Sequence, residues 1–230
     1  MSNIRCQALR NVPEAKLRIH LERIENDPGL EEKNKHVLKQ AYVRYYGANI
    51  PVIYWNKEMT RDFKGDPQLL KVYTDIAQNI DKVFADGISL CFAGSFGLGK
   101  TLACTNILKR ATEKGLTALY VTLNDIISAT TSDEKFLARQ ELLNTHFLVI
   151  DEFDPRYIAN AQVSDFFGRV LEDVLRSRTQ NNLPLFLCTN SPNVLESFQG
   201  SLKQSIGSLM NHVKMVPVLG KDYRSIVKGK

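Results

Sequence analysis

Eight consecutive residues, Gly94-Ser95-Phe96-Gly97-Leu98-Gly99-Lys100-Thr101, follow the apolar run 88–93 and open a stretch of helical spacing. A Gly-x-x-x-x-Gly-Lys-[Ser/Thr] octapeptide between a strand and a helix commits the chain around it to an α/β layer structure. Its glycines let successive backbone N–H groups approach a phosphate closely, and the helix amino terminus adds a positive field. Lys100 is placed to reach β and γ phosphates, and Thr101 to ligate magnesium through its hydroxyl. The expected nucleotide contacts are Gly94, Ser95, Phe96, Gly97, Leu98, Gly99, Lys100, Thr101 and, one residue further into the helix, Leu102.

Short apolar segments alternate with helical ones on both sides of this loop. Strands are expected at 88–93, 118–123, 147–150, 183–188 and 213–219. Helices are expected from Lys100, across 124–144, near 162–180 and over 201–210. Such alternation predicts a parallel sheet covered by helices on both faces.

The third apolar run ends in acids, Phe147-Leu148-Val149-Ile150-Asp151-Glu152-Phe153-Asp154. About fifty residues beyond a phosphate loop, Asp151 is placed to hold the magnesium shell and Glu152 to orient or deprotonate an attacking water. A small-molecule kinase must keep water out, whereas a glutamate next to the metal aspartate serves hydrolysis. Asp154 reads as structural or as a neighbour of the acidic pair, since a third acid at the metal would add repulsion. The next strand ends Leu187-Cys188-Thr189-Asn190-Ser191-Pro192, which puts an amide at a carboxyl strand end, where open α/β sheets bind ligands. Asn190 is the candidate γ-phosphate and water sensor.

Before the loop the pattern changes. Residues 13–26 and about 30–46 have helical spacing, broken by Asp27-Pro28-Gly29. Residues 49–66 show no clean period and read as an extended linker, and a further helix carries Leu70, Tyr73, Ile76, Ile80 and Phe84. The expected organisation is an amino-terminal helical module (1–48), a linker (49–66) and an ATPase domain (67–230). The excess of cations lies in the two ends, and residues 201–230 hold six Lys/Arg against one Asp/Glu. Such ends suit nucleic acid, an acidic partner, or plain solvated surface. Tyr42, Tyr45, Tyr46 and Trp55 among Lys33, Lys35, Lys39 and Arg44 suit either single-strand stacking or the packing of a small module that meets a protein. Four scattered cysteines without a Cys-x-x-Cys pair suggest neither a zinc site nor a disulfide framework. No apolar run reaches the ~18–20 residues of a membrane helix, so no membrane role is expected and the cytoplasm is the expected compartment.

Taken together, Gly94-x-x-x-x-Gly99-Lys100-Thr101, Ile150-Asp151-Glu152-Phe153-Asp154, Cys188-Thr189-Asn190-Ser191 and Asp222-Tyr223-Arg224 resemble the AAA+ ATPases of the DnaC/DnaI helicase-loader group, with the IstB transposition helpers as relatives. The resemblance covers roughly residues 65–226. It implies a P-loop NTPase of AAA+ type with a five-stranded parallel sheet ordered 5-1-4-3-2, sandwiched by helices and carrying a small amino-terminal helical appendage. It also implies ATP and Mg2+ as cofactors, self-association through the ATPase domain, a hexameric replicative helicase as partner and single-stranded DNA as the second ligand. By position it makes Lys100 and Thr101 the nucleotide and magnesium residues, Asp151 and Glu152 the acidic pair, Asn190 the first sensor and Arg224 the second.

One departure bears on rate. Loaders carry an arginine in the helix before the last strand that reaches a neighbouring subunit's ATP, yet residues 201–210 read SLKQSIGSLM and offer only Lys203. A lysine lacks the planar fork that grips phosphate oxygens, so slow or partner-stimulated hydrolysis is expected. The alternatives are a transposition-helper ATPase and a slowly hydrolysing nucleotide-gated adaptor. An initiator of the DnaA type is disfavoured, because about ten residues after the last strand leave no room for a helix-turn-helix.

Overall fold

The computed structural model describes residues 6–154, 161–191, 193–194, 206–207 and 210–222, with backbone only for 161–167. Five strands, β1 (Leu90–Ala93), β2 (Ala118–Thr122), β3 (Phe147–Asp151), β4 (Leu185–Thr189) and β5 (Lys214–Pro217), form one sheet in the order β2-β3-β4-β1-β5. Every pairing is parallel. This is the expected 5-1-4-3-2 order, read from the opposite edge.

The inner strands are buried along their whole length because the sheet is covered on both sides. Phe92, Phe147, Val149 and Phe186 face one cluster with α1 (Glu14–Glu25), α2 (Glu32–Gly47), α4 (Pro67–Gln78), α5 (Ile80–Ala85) and α6 (Lys100–Glu113). Their strand neighbours Cys91, Leu148, Ile150, Leu185 and Leu187 face a second cluster with α7 (Leu123–Thr130), α8 (Lys135–Asn144) and α9 (Ala161–Gln180). The period-two alternation of a strand thus divides each run between two cores. Phe147 and Phe186 stack with centroids 6.1 Å apart.

Two expected elements differ. The apolar spacing after Pro67 predicts one helix, but the chain forms α4 and α5, joined at Asn79, whose side-chain amide donates to Asp75 O. Residues 49–66 are not an extended linker. Val52–Tyr54 makes a 3₁₀ turn, α3 (Met59–Asp62) a single helical turn, and Ile50, Trp55, Met59 and Phe63 are buried. Long-range contacts fix these short turns. Met59 N donates to Asn106 Oδ1 at 3.0 Å, and the buried Lys109 ammonium donates to Trp55 O and Lys57 O at 3.0 and 2.7 Å.

The amino-terminal hairpin α1–α2 shares its core with the sheet. Tyr42, Tyr45 and Trp55 are buried, and Lys109 Nζ lies 5.0 Å from the Tyr45 ring centroid. Asn49 sits at φ 55°, 1% exposed, and joins three segments. Its Nδ2 donates to Leu9 O and Tyr120 O, both at 2.9 Å, and its Oδ1 accepts from Asn11 N at 3.0 Å. No helix among the described residues is long and apolar enough to cross a membrane.

Candidate nucleotide site

The loop 94–99 leaves β1 at Ala93 and enters α6 at Lys100, at the carboxyl end of the sheet. Gly97 and Gly99 hold φ 73° and 88°, a left-handed region that costs residues with a side chain about 1–2 kcal/mol each. Space forbids side chains as well. A β-carbon on Gly94 would sit 2.2 Å from Val218 O, and one on Gly99 would sit 2.3 Å from the Phe63 ring.

Lys100 is buried, and its ammonium donates to Gly94 O and Ser95 O, both at 2.7 Å, and to Asn190 Oδ1 at 3.0 Å. These three neutral acceptors hold the ammonium over the loop, where a phosphate oxygen can replace them. The last of these bonds joins the loop to the end of β4, far away in the chain.

Thr101 Oγ1 donates to Asp151 Oδ2 at 2.7 Å. Register accounts for the meeting, since β3 ends at Asp151 beside the first turn of α6. The same oxygen accepts from Tyr120 OH at 2.7 Å, while Asp151 Oδ1 accepts from Glu152 N at 2.8 Å. Asp151 is 7% exposed. Burial, and then the Asp151 charge, push the Tyr120 phenol far above its ordinary range, so it acts as a donor at all working pH. The pattern alone gave no sign of Tyr120, which looks like any apolar residue of a strand.

Glu152 is exposed and adopts φ 52°, one of three described residues other than glycine with positive φ. The two residues after it are buried, and Phe153 N donates to Cys188 O at 2.8 Å. The left-handed turn therefore swings Glu152 outward while Phe153 is locked inward. Partial desolvation, followed by the charges of Asp151 and Asp125, raises its carboxyl above the usual range. Such a carboxylate is better matched to taking a proton from water than an ordinary one. Asp154 is buried.

A cleft of about 400 Å³ adjoins the loop, with Lys64–Pro67 on one wall, Leu219–Lys221 on the other and Leu98 between. Asp66 ties the walls together, since Oδ1 accepts from Gln68 N at 2.8 Å and caps α4 while Oδ2 accepts from Leu219 N at 2.9 Å. The sequence reading missed this cleft. Its only local signal was the Asp66-Pro67 pair, the chemistry of a helix start.

The donor set suits a magnesium-bound nucleotide. Thr101 commits its proton to Asp151, which leaves the hydroxyl oxygen's lone pairs for a cation, and the glycines leave room for phosphate. Phe96 is 61% exposed and Leu102 is buried. Lys203 and Arg224, and most of the helix expected over 201–210, lie outside the described residues.

No family model matches the sequence, and no curated protein matches it. Solved structures do. A DnaI structure superposes with a TM-score of 0.59 at 19% identity, covering 76% of this chain and 94% of that one. The DnaC helicase loader gives a TM-score of 0.54 at 20% identity, over 74% of this chain and 100% of that one. A replication initiator DnaA bound to AMPPCP and single-stranded DNA gives 0.55 at 15% identity, over 69% of this chain. This chain spans about half of that one, 48%. These likenesses establish the α/β AAA+ fold, that of the DnaC and DnaI structures.

Proposed function

We propose that this chain is an ATPase that binds a hexameric replicative helicase and places it on single-stranded DNA. The observation that carries the hydrolytic part is the convergence of Lys100 and Thr101 with Asp151 and Asn190 at the carboxyl ends of β3 and β4, with Glu152 turned outward beside them. In this reading the loop and Lys100 bind the phosphates, Thr101 and Asp151 hold magnesium, Glu152 prepares the water and Asn190 senses the γ-phosphate. Magnesium would neutralise the charge that builds on the phosphates. The base is assigned to the cleft beside Leu98. Lys203 and Arg224 are carried as the finger substitute and second sensor.

The replication role draws support from the DnaI and DnaC likenesses, which cover nearly all of those chains. Residues 1–48 are proposed as the helicase-docking part, and Val37, 54% exposed, offers an apolar contact there. A transposition helper would instead respond to double-stranded DNA.

The test is a pull-down with Glu152→Gln protein in ATP and Mg2+. Helicase and single-stranded DNA should be retained while turnover is lost. Retention of neither, or ATPase stimulation by duplex DNA alone, rejects the loader reading.

A further inference from the structure

We infer that Tyr120 is a positioning residue for Asp151, fixing the carboxylate that accepts the Thr101 hydroxyl's hydrogen bond. The inference rests on the nucleotide-site reading above and adds to it a residue from a different strand.

Tyr120 pairs in register with Val149, two residues before Asp151. Two residues along a strand span about 6.6 Å, the reach of a tyrosine side chain, so the hydroxyl arrives at the strand end. There it donates to Asp151 Oδ2 at 2.7 Å beside Thr101 Oγ1, also at 2.7 Å. With Oδ1 taken by Glu152 N, both carboxylate oxygens are engaged and the group cannot rotate freely. The bond from Thr101 comes from the first turn of α6. The bond from Tyr120 comes from the sheet.

Tyr120 is itself fixed. β2 is an edge strand, and its outward backbone groups at this residue are met by the end of the amino-terminal hairpin. Tyr120 N donates to Ala48 O at 2.9 Å, and Asn49 Nδ2 donates to Tyr120 O at 2.9 Å. The backbone that carries the ring is thus clamped on its outer side as well as paired with β3.

Tyr120→Phe keeps the ring and removes the donor, and Asp151 retains Thr101, so the fold persists. A fluorescent N-methylanthraniloyl-ATP is titrated into wild type, Tyr120→Phe and Lys100→Ala, in EDTA and across a Mg2+ series. Expected for Tyr120→Phe is unchanged affinity in EDTA and a half-saturating Mg2+ concentration raised about tenfold, as when a group supporting a metal ligand is lost. An unchanged Mg2+ requirement in Tyr120→Phe, with binding lost in Lys100→Ala, overturns the inference and leaves the site reading standing. Equal weakening with and without Mg2+ also overturns it, since the tyrosine would then be structural only. Undiminished binding by Lys100→Ala sinks both.

Discussion

The carboxylate of Asp222 rests against Gly97, so close that a β-carbon built on the glycine would meet Asp222 Oδ1 at 1.8 Å. Gly97→Ala should weaken binding of a fluorescent ATP analogue at least about tenfold, because it adds the left-handed penalty to that clash.

Glu152 combines a strained backbone with a crowded charge. Asparagine tolerates the left-handed region, so Glu152→Asn should abolish turnover and stabilise the chain by about 0.5–1 kcal/mol in urea unfolding. The pH dependence has a definite sign. The folded carboxyl holds its proton above the ordinary value of 4.5, so ionising it disfavours the folded state. Wild type and Glu152→Gln should therefore show equal pH dependence below about 4.5, and the variant's relative stability should grow as pH rises through the raised value and stay constant beyond it. Parallel stability curves from about pH 4 to 7 would contradict the shift.

What the sequence made legible is what short-range codes specify. The loop 94–101, the acidic end of β3 and the alternation of strands and helices each declare themselves within a dozen residues. Asn190 was legible because it ends an apolar run. The cleft beside Leu98 was not, since Asp66 and Leu219 are joined across 153 positions and Lys64–Pro67 looks like punctuation between helices. The segment 49–66 looked extended because Ile50-Pro51 and Gly65-Asp66-Pro67 punctuate it; long-range partners such as Asn106 and Lys109 decide its shape. Asp222 drew notice only as the first residue of Asp222-Tyr223-Arg224, although its carboxylate lies against Gly97.

Arg178 is 1% exposed, and its guanidinium donates to Leu142 O, Thr145 O, His146 O and Pro184 O at 2.7–3.0 Å. Burial pulls its pKa down to about 9, still charged at neutral pH, and the four carbonyl dipoles take the place of a counter-ion. The residue staples the end of α8 to the starts of β3 and β4. Arg178→Met should cost about 3–5 kcal/mol in urea unfolding, since it leaves buried carbonyls without donors. Arg178→Lys should recover only part of that, because a lysine cannot span four acceptors with one fork.

The amino-terminal hairpin calls for a test that separates docking from folding. Deleting residues 1–48 would remove Tyr42 and Tyr45 from the core and take Ala48 O from Tyr120 N. Loss of one large buried aromatic costs about 3–5 kcal/mol, and two approach the whole stability of a domain. The truncated chain should therefore melt without a cooperative transition and lose nucleotide binding for that reason alone. Charges placed on exposed apolar positions avoid the problem. Val37→Glu and Val43→Glu change residues of α2 that are 54% and 48% exposed, so melting temperature and ATP-analogue affinity should stay at wild-type values. If the hairpin meets the helicase, one or both should abolish co-purification, since a desolvated charge at an interface costs several kcal/mol. Full retention of helicase by both variants would move the docking surface away from this face, while the nucleotide site would keep its assignment.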